Sequence, residues 1–358
     1  CQDVVSFTGS ASTAQKLRSH PQVVANSVRF VSETDSINSC VLGPQAGPGE
    51  PEFDAFVREV AREMTAKAGQ KCTAIRKAIV PAAHADAAVN AIKTALGKVV
   101  IGDPRLEQVR MGPLAALSQR REVLGRIAEL RREAELVTSD GDALDLAGAD
   151  REKGAFVAAA LLYCREPAQA RAIHNVEAFG PVCTVMPYRS LDEAVSFARR
   201  GEGSLVGSIF TADDDVAAEL ALRLAPLHGR LLIVNRDCAK ESTGHGSPLP
   251  GLIHGGPGRA GGGEEMGGIR GLMHYMQRTA IQGSPQTLAR ITGRWTRGAT
   301  QKAPGVHPFR KAFHELQIGD TLNSVEREVT LEDIERFAAL SGDTFYAHMD
   351  EEAARRNP

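Results

Sequence analysis

Cys72 stands in the run Gly69-Gln70-Lys71-Cys72-Thr73, between a glycine turn and the cationic residues Lys71, Arg76 and Lys77. A thiol near positive charge ionises more easily, and the thiolate is the nucleophile. A lone cysteine in a soluble protein is more often a small buried hydrophobe, so the chemical reading depends on its company. Three other runs supply that company. Val5-Ser6-Phe7-Thr8-Gly9-Ser10 is a short apolar strand entering a Gly/Ser turn, with a helical pattern over residues 11–17, and amides at such a helix start can receive a phosphate. Glu33 follows an apolar strand upstream of Cys72. Glu177-Ala178-Phe179-Gly180-Pro181 places an acid and a turn before the strand that begins at Val182. Each run alone has an ordinary reading, since most glutamates are solvated and Gly-Pro is common turn chemistry.

Taken in this order and at these separations, the four runs resemble the aldehyde dehydrogenase superfamily. The resemblance implies that Thr8, Gly9 and Ser10 face the phosphates of a dinucleotide and that Glu33 activates water. It also implies that Cys72 attacks an aldehyde and that Glu177 and Phe179 hold the ribose beside the nicotinamide. The glycine-rich stretch 255–271 resembles the late anchoring loop of the family, and Glu33-Thr34-Asp35-Ser36 departs from its usual Glu-Leu-Gly-Gly. In the implied chemistry the Cys72 thiolate adds to the carbonyl and hydride leaves to the nicotinamide. Water deprotonated by Glu33 then cleaves the thioacyl enzyme. The Cys72 amide is expected to donate to the oxyanion. A second donor, an asparagine in the family, and the strands that hold the adenosine are expected upstream of Cys1, so the chain is read as part of a longer protein. The implied cofactor is NADP, with NAD as the alternative.

A different pattern begins after residue 308. Residues 313–320 read as strand and turn, and residues 330–340 as a helix with Thr330 as cap and Asp333 at its third position. Ser341-Gly342-Asp343 then leads to His348, Met349 and Asp350. This run resembles the hydratase motif of MaoC-like (R)-specific enoyl-CoA hydratases, which have a hot-dog fold. It implies that Asp343 and His348 hold one water and pass its protons as it adds to the β-carbon of a thioester. An aspartate in a loop beside a surface histidine is the plain alternative. The two patterns together resemble the bifunctional ring-opening enzymes of bacterial phenylacetate catabolism, in which water opens an oxepin-CoA to a semialdehyde that the dehydrogenase part oxidises. A dehydrogenase for another CoA-linked semialdehyde, joined to a generic enoyl-CoA hydratase, stays open. So does a catalytically silent assembly module. CoA-thioester substrates and a homo-oligomer are the implied partners.

The elements that must position these residues read as an α/β order with a mostly parallel sheet. An amphipathic helix over 52–67, carrying Phe53, Phe56, Val57, Val60 and Met64 on one face, leads into the turn that presents Cys72. Strands are expected at 78–80, 156–162, 182–186, 205–210 and 230–235, and helices at 83–96, 117–134, 191–199 and 213–224. The fold class expected is α/β, like the C-terminal half of an aldehyde dehydrogenase, followed by the start of an α+β hot-dog domain. The expected divisions are 1–33 (end of a dinucleotide-binding domain), 34–234 (catalytic domain), 235–282 (glycine-rich loop and return segment), 283–308 (linker) and 309–358 (start of the hydratase-like domain). Residues 242–268 are expected to form an ordered wall of the aldehyde pocket, with His245 and His254 as substrate contacts or structural groups.

Composition sets the outer bounds. The 358 residues are 42% hydrophobic, enough for a sizeable core, and 42 basic against 44 acidic residues give a net charge of -2, so no preference for nucleic acid or a membrane surface follows. Six cysteines without C-x-x-C spacing point to a reducing cytoplasm and to no metal centre. The longest apolar run, 156–164, falls short of the ~20 residues that span a bilayer.

Overall fold

The computed structural model describes residues 4–138, 144–247, 249, 254–265, 268–294, 296–300, 311–320, 328–345 and 350–356. The chain divides into two compact units, Cys1–Gln277 and Arg278–Pro358. Strands of the first unit are β1 (Val4–Thr8), β2 (Arg29–Glu33), β3 (Asn38–Leu42), β4 (Ile75–Pro81), β5 (Glu135–Leu136), β6 (Ala160–Tyr163), β7 (Val182–Tyr188), β8 (Ser204–Phe210), β9 (His228–Val234), β10 (His254–Gly255) and β11 (Glu264–Glu265). Seven of them form one sheet in the order β5-β6-β7-β4-β3-β8-β9. All its pairs are parallel except the edge pair β5–β6.

Parallel strands require long crossovers, usually helical. The crossovers here supply α3 (Pro51–Thr65), α4 (Ala85–Leu96), α5 (Leu117–Leu130), α7 (Leu191–Arg199) and α8 (Asp214–Leu224), while α1 (Ala11–Arg18), α2 (Pro21–Ala25) and α6 (Ala172–Asn175) are shorter. Side chains alternate across the sheet with the period of two that a pleated strand imposes. In β3, Cys40 and Leu42 join the core formed with Phe56, Val60 and Ile92 of α3 and α4, whereas Val41 joins the opposite core with Val123, Phe197 and Leu220 of α5, α7 and α8. Each fully buried Phe or Leu of this kind contributes about 1.5–3 kcal/mol. Phe56 also meets Phe210 of β8 edge to face, 5.8 Å between ring centres.

The helices and strands expected from periodicity are present, with two differences that matter for the site. Helix α3 stops at Thr65 instead of running through Lys67, because Lys67, Ala68 and Gly69 take φ of 54°, 52° and 69°. Strand β3 was not expected. It is five residues long, lies inside the sheet between β4 and β8 and follows β2 after only four residues, with no helix between them to mark it. Strands β1 and β2 pair in parallel as a separate two-stranded sheet, with Thr8 opposite Glu33.

In the second unit, helices occupy Pro285–Thr292, Leu331–Ser341 and Glu351–Arg356. Thr330 and Asp333 form the expected reciprocal cap: Asp333 N–H donates to Thr330 Oγ1 at 3.3 Å and Thr330 N–H to Asp333 Oδ2 at 3.1 Å. The strand expected from Phe313 is instead a single 3-10 turn, Phe313–Glu315. Local bonds hold it: Ala312 N–H donates to Glu315 Oε2 at 2.7 Å, and Gln317 N–H and Lys311 Nζ both donate to Asp320 at 2.9 Å.

Candidate active site

The chain leaves α3 through three residues in the left-handed region, which costs about 1–2 kcal/mol at each non-glycine position. Gly69 must be glycine, since a Cβ there would collide with the Gly180 carbonyl. The turn that follows carries Cys72, half-buried, into β4. Asn38, fully buried at the head of β3, donates from Nδ2 to the carbonyl oxygens of Cys72 (2.8 Å) and Ala74 (2.9 Å). Its Oδ1 accepts from Ser36 Oγ and the Val206 amide. Nothing in the sequence pattern singled out Asn38, because the strand that carries it was not legible.

The cationic run around Cys72 is largely spoken for. Lys71 pairs with buried Glu63 at 2.7 Å, and Lys77 is fully buried with Nζ donating to the Phe197 carbonyl at 2.9 Å. Arg76 is the structural tie. Its guanidinium donates to the carbonyls of Gly180 (2.6 Å), Gly69 (2.9 Å) and Lys71 (3.3 Å), binding the cysteine turn to the Glu177–Pro181 turn. A register shift between Asn38 and Ser39 lets β4 skip Arg76 in its pairing with β3. The other buried thiols differ sharply from a reactive group: burial pushes Cys164 up to about 11 and Cys183 up to about 12, and raises Cys40 well above the ordinary range.

Glu33 ends β2 and is buried. The residues after it, where the family pattern is departed from, are held by the glycine-rich stretch. Thr34 N–H donates to the Ala260 carbonyl at 3.0 Å, Thr34 Oγ1 donates to the Arg259 carbonyl, and Arg259 pairs with Asp35 at 3.3 Å. This packing brings His254 of β10 against Glu33. His254 Nε2 lies 3.4 Å from Glu33 Oε2 and 4.0 Å from Cys72 Sγ. One donor atom from each of Glu33, Cys72 and His254 falls within 4.8 Å of the other two. Sequence reasoning left His254 open between a substrate contact and a structural group; the fold places it at the centre of the site. His245 goes the other way. It is fully buried, 2.8 Å from Ser208 Oγ, with burial holding it neutral, so it braces β8. Thr73 Oγ1 donates to the Gly246 carbonyl at 3.3 Å, which brings part of the 242–268 stretch against the cysteine turn.

Thr8, Gly9 and Ser10 form an exposed turn at the start of α1, with Ser10 Oγ capping the Thr13 amide. The Ala11 amide already holds an anion, the Asp35 carboxylate at 3.0 Å, as the positive end of a helix favours. Across the site the Glu177 side chain is largely buried, with 11% exposed. Its Oε1 has no hydrogen bond, and Arg76 Nε, likewise unbonded, lies 3.8 Å away. Burial raises the Glu177 carboxyl to about 7 and outweighs the attraction of Arg76. A buried acceptor without a donor is costly, and a ligand hydroxyl would satisfy it. Phe179 is partly exposed, 5.7 Å below the Arg76 guanidinium, and its carbonyl accepts from Gln70 Nε2 at 3.3 Å.

In the second unit, Asp343 is half-buried and its Oδ1 accepts from the Phe345 amide at 3.2 Å. His348 lies outside the described residues.

Comparison with known proteins agrees with this architecture. Residues 2–281 match the model of the aldehyde dehydrogenase family, and residues 314–358 match that of the MaoC-like domain. The chain is 48% identical over 255 residues to the 3,4-dehydroadipyl-CoA semialdehyde dehydrogenase of Aromatoleum evansii, covering 71% of this chain and 50% of that protein. It is 52% identical over 244 residues to Protein MaoC of Klebsiella aerogenes, covering 68% of this chain and 71% of that one. A crystal structure of a mutant aldehyde dehydrogenase C from Pseudomonas syringae, with NAD+ and octanal, superposes with a TM-score of 0.64 at 24% identity, over 78% of this chain and 52% of the other. The chain thus spans about half the length of the Aromatoleum relative and of that solved structure. None of the described helices is long and apolar enough to cross a membrane. With a parallel sheet whose central strands carry the Cys72 turn and a family match over most of its length, the chain belongs to the aldehyde dehydrogenase family and carries a MaoC-like domain match at its C-terminal end.

Proposed function

We propose that the protein oxidises a CoA-linked semialdehyde to the acid, with Cys72 as nucleophile and Glu33 as general base. The observation that carries this is their convergence: a thiol and a buried carboxylate from different elements, with donor atoms no more than 4.8 Å apart. That gap suits a carbonyl carbon on the sulfur and a water on the carboxylate. The Cys72 thiolate adds to the aldehyde carbon, forming a C–S bond and an oxyanion. A nicotinamide dinucleotide, when bound, supplies the hydride acceptor. Glu33 then takes a proton from the water that attacks the thioacyl carbon, and the C–S bond breaks with the thiolate as leaving group. Thr8, Gly9 and Ser10 would hold the phosphates and Glu177 and Phe179 the ribose, a role that the unbonded Glu177 Oε1 fits. NADP is the cofactor we favour.

The substrate class follows from the Aromatoleum relative, whose name specifies a CoA-linked semialdehyde. The MaoC-like match suggests that the aldehyde is made on the same protein: Asp343 and His348 would deliver water to the enol ether of an oxepin-CoA, giving a hemiacetal that collapses to the semialdehyde. Reactive semialdehydes condense with themselves, so two sites on one homo-oligomeric assembly in the cytoplasm would limit their escape.

The test is NADPH formation by the full-length protein from a CoA-linked semialdehyde and from oxepin-CoA, beside Cys72→Ala and Glu33→Gln. Formation from both substrates, abolished by Cys72→Ala, is the expected result. Glu33→Gln should retain a first burst of NADPH and lose steady turnover. Formation from the semialdehyde alone would remove the ring-opening assignment, and none from either would remove the whole reading.

A further inference from the structure

We propose that Cys72, His254 and Glu33 together form a zinc site that closes the enzyme off reversibly. The inference rests on the reading of Cys72 as nucleophile for its consequence and on geometry for its existence. One thiolate, one imidazole and one carboxylate are the donor types of three-ligand zinc sites, and the thiolate selects zinc over magnesium or calcium.

The distances suit the ion. Zinc bonds of about 2.3 Å to sulfur and about 2.0–2.2 Å to nitrogen and oxygen put neighbouring corners of a tetrahedron roughly 3.3–3.6 Å apart. The His254–Glu33 edge, at 3.4 Å, already matches, and the Cys72–His254 edge, at 4.0 Å, is a few tenths of an ångström long. The remaining edge is no more than 4.8 Å and closes by rotation of the Cys72 or Glu33 side chain.

The ligands stand on three elements that other contacts fix. Cys72 is held through its carbonyl by Asn38, Glu33 ends a strand paired to β1, and His254 belongs to a strand paired to β11. A small cleft lined by Thr8, Ser32, Gly263 and two of the three ligands, Glu33 and His254, gives a path to the cluster. Binding forms a Zn–S bond and releases the thiol proton to solvent, with no change of oxidation state. A sulfur bonded to zinc cannot add to an aldehyde, and a carboxylate bonded to zinc cannot take a proton from water. Zinc and substrate therefore compete for the same groups.

The experiment uses the reduced full-length protein, with Co2+ as a coloured stand-in for Zn2+ and calorimetry for Zn2+ itself. A thiolate-to-cobalt charge-transfer band, displaced by zinc and absent in Cys72→Ala, is expected. His254→Phe and Glu33→Gln should each weaken zinc binding by at least the roughly 10–100-fold that loss of a mere outer-shell partner costs. Aldehyde oxidation, measured in parallel, should stop on adding zinc and return with EDTA, and whatever turnover His254→Phe retains should resist zinc. Turnover without any cobalt–thiolate band, or zinc affinity unchanged in both His254→Phe and Glu33→Gln, overturns the zinc site and leaves the proposed function standing. A cobalt–thiolate band lost in Cys72→Ala, in a protein with no aldehyde oxidation, supports the site and sinks the proposed function instead.

Discussion

Asn38 Nδ2 donates a 2.8 Å hydrogen bond to the carbonyl oxygen of Cys72. The same amide reaches Ala74, and its oxygen accepts from the Val206 amide, so one buried side chain ties the cysteine turn to the middle of the sheet. Replacing it by leucine removes the partner of two carbonyls, the Val206 amide and the Ser36 hydroxyl, at about 1–3 kcal/mol for each group that stays buried and unsatisfied. We predict that Asn38→Leu lowers stability by ~3–5 kcal/mol in denaturant titration. Asn38→Asp keeps the acceptor and loses the donor. It should reduce kcat more than it changes cofactor KM, because it frees the Cys72 turn alone. Equal turnover in Asn38→Asp and wild type would show that the turn needs no such anchor.

Gly69→Ala tests the link between the Cys72 and Glu177 turns. Its φ of 69° disfavours any side chain, and a Cβ would strike the Gly180 carbonyl, which is also where Arg76 donates. The substitution must push the two turns apart. A loss of ~2–4 kcal/mol is expected, with cofactor KM and kcat both damaged. A variant with native stability and kinetics would mean that the turns are not rigidly coupled.

The sheet, its parallel order and the apolar face of α3 were legible because they rest on period and turn chemistry that a sequence displays directly. The pairing of Glu33 with Cys72 was legible only through resemblance, since no local pattern brings a residue at the end of β2 to a turn before β4. What stayed hidden was the support. Asn38 sits in a five-residue strand with no helix before it, and Arg76 read as part of a cationic run near a thiol. In the fold Lys71 and Lys77 turn to Glu63 and Phe197, and Arg76 spends its donors on three carbonyls. Charge proximity along a chain does not say which way a long side chain points. His254 was hidden for a similar reason: only the packing of residues 259–263 onto Ser32–Asp35 carries it to the site.

Lys77 offers a stability test away from the chemistry. It is fully buried, and burial, aided by Arg200 and Arg259, depresses its amine from 10.5 to about 7. Between those pH values the unfolded chain binds the extra proton, so this residue's contribution to stability is present above about pH 10.5 and is lost as pH falls towards 7. Lys77→Met removes that dependence but leaves the Phe197 carbonyl unpaired. The variant should be more stable than wild type at pH 7, by ~1–3 kcal/mol, with the advantage gone by pH 10. Urea titrations at the two pH values decide it, and a variant less stable at pH 7 would show that the amine is solvated or paired in solution.

With the ribose role proposed for Glu177, stability and cofactor binding should respond to pH with opposite signs. Its carboxyl is raised from 4.5 to about 7, chiefly by burial. The native protein therefore holds a proton there that the unfolded chain has lost, and the stability this contributes is full below pH 4.5 and disappears as pH rises through 7. By the shift alone that is about 3 kcal/mol. Acceptance of ribose hydroxyls favours the ionised form, so cofactor KM should fall from pH 6 to pH 8 while the stability of the cofactor-free protein declines over the same range. Glu177→Gln cannot ionise and should flatten both curves, with KM fixed at a higher value. Parallel kinetics and denaturation across that range check both signs; an unchanged pH slope of KM in Glu177→Gln would assign the titration to another group.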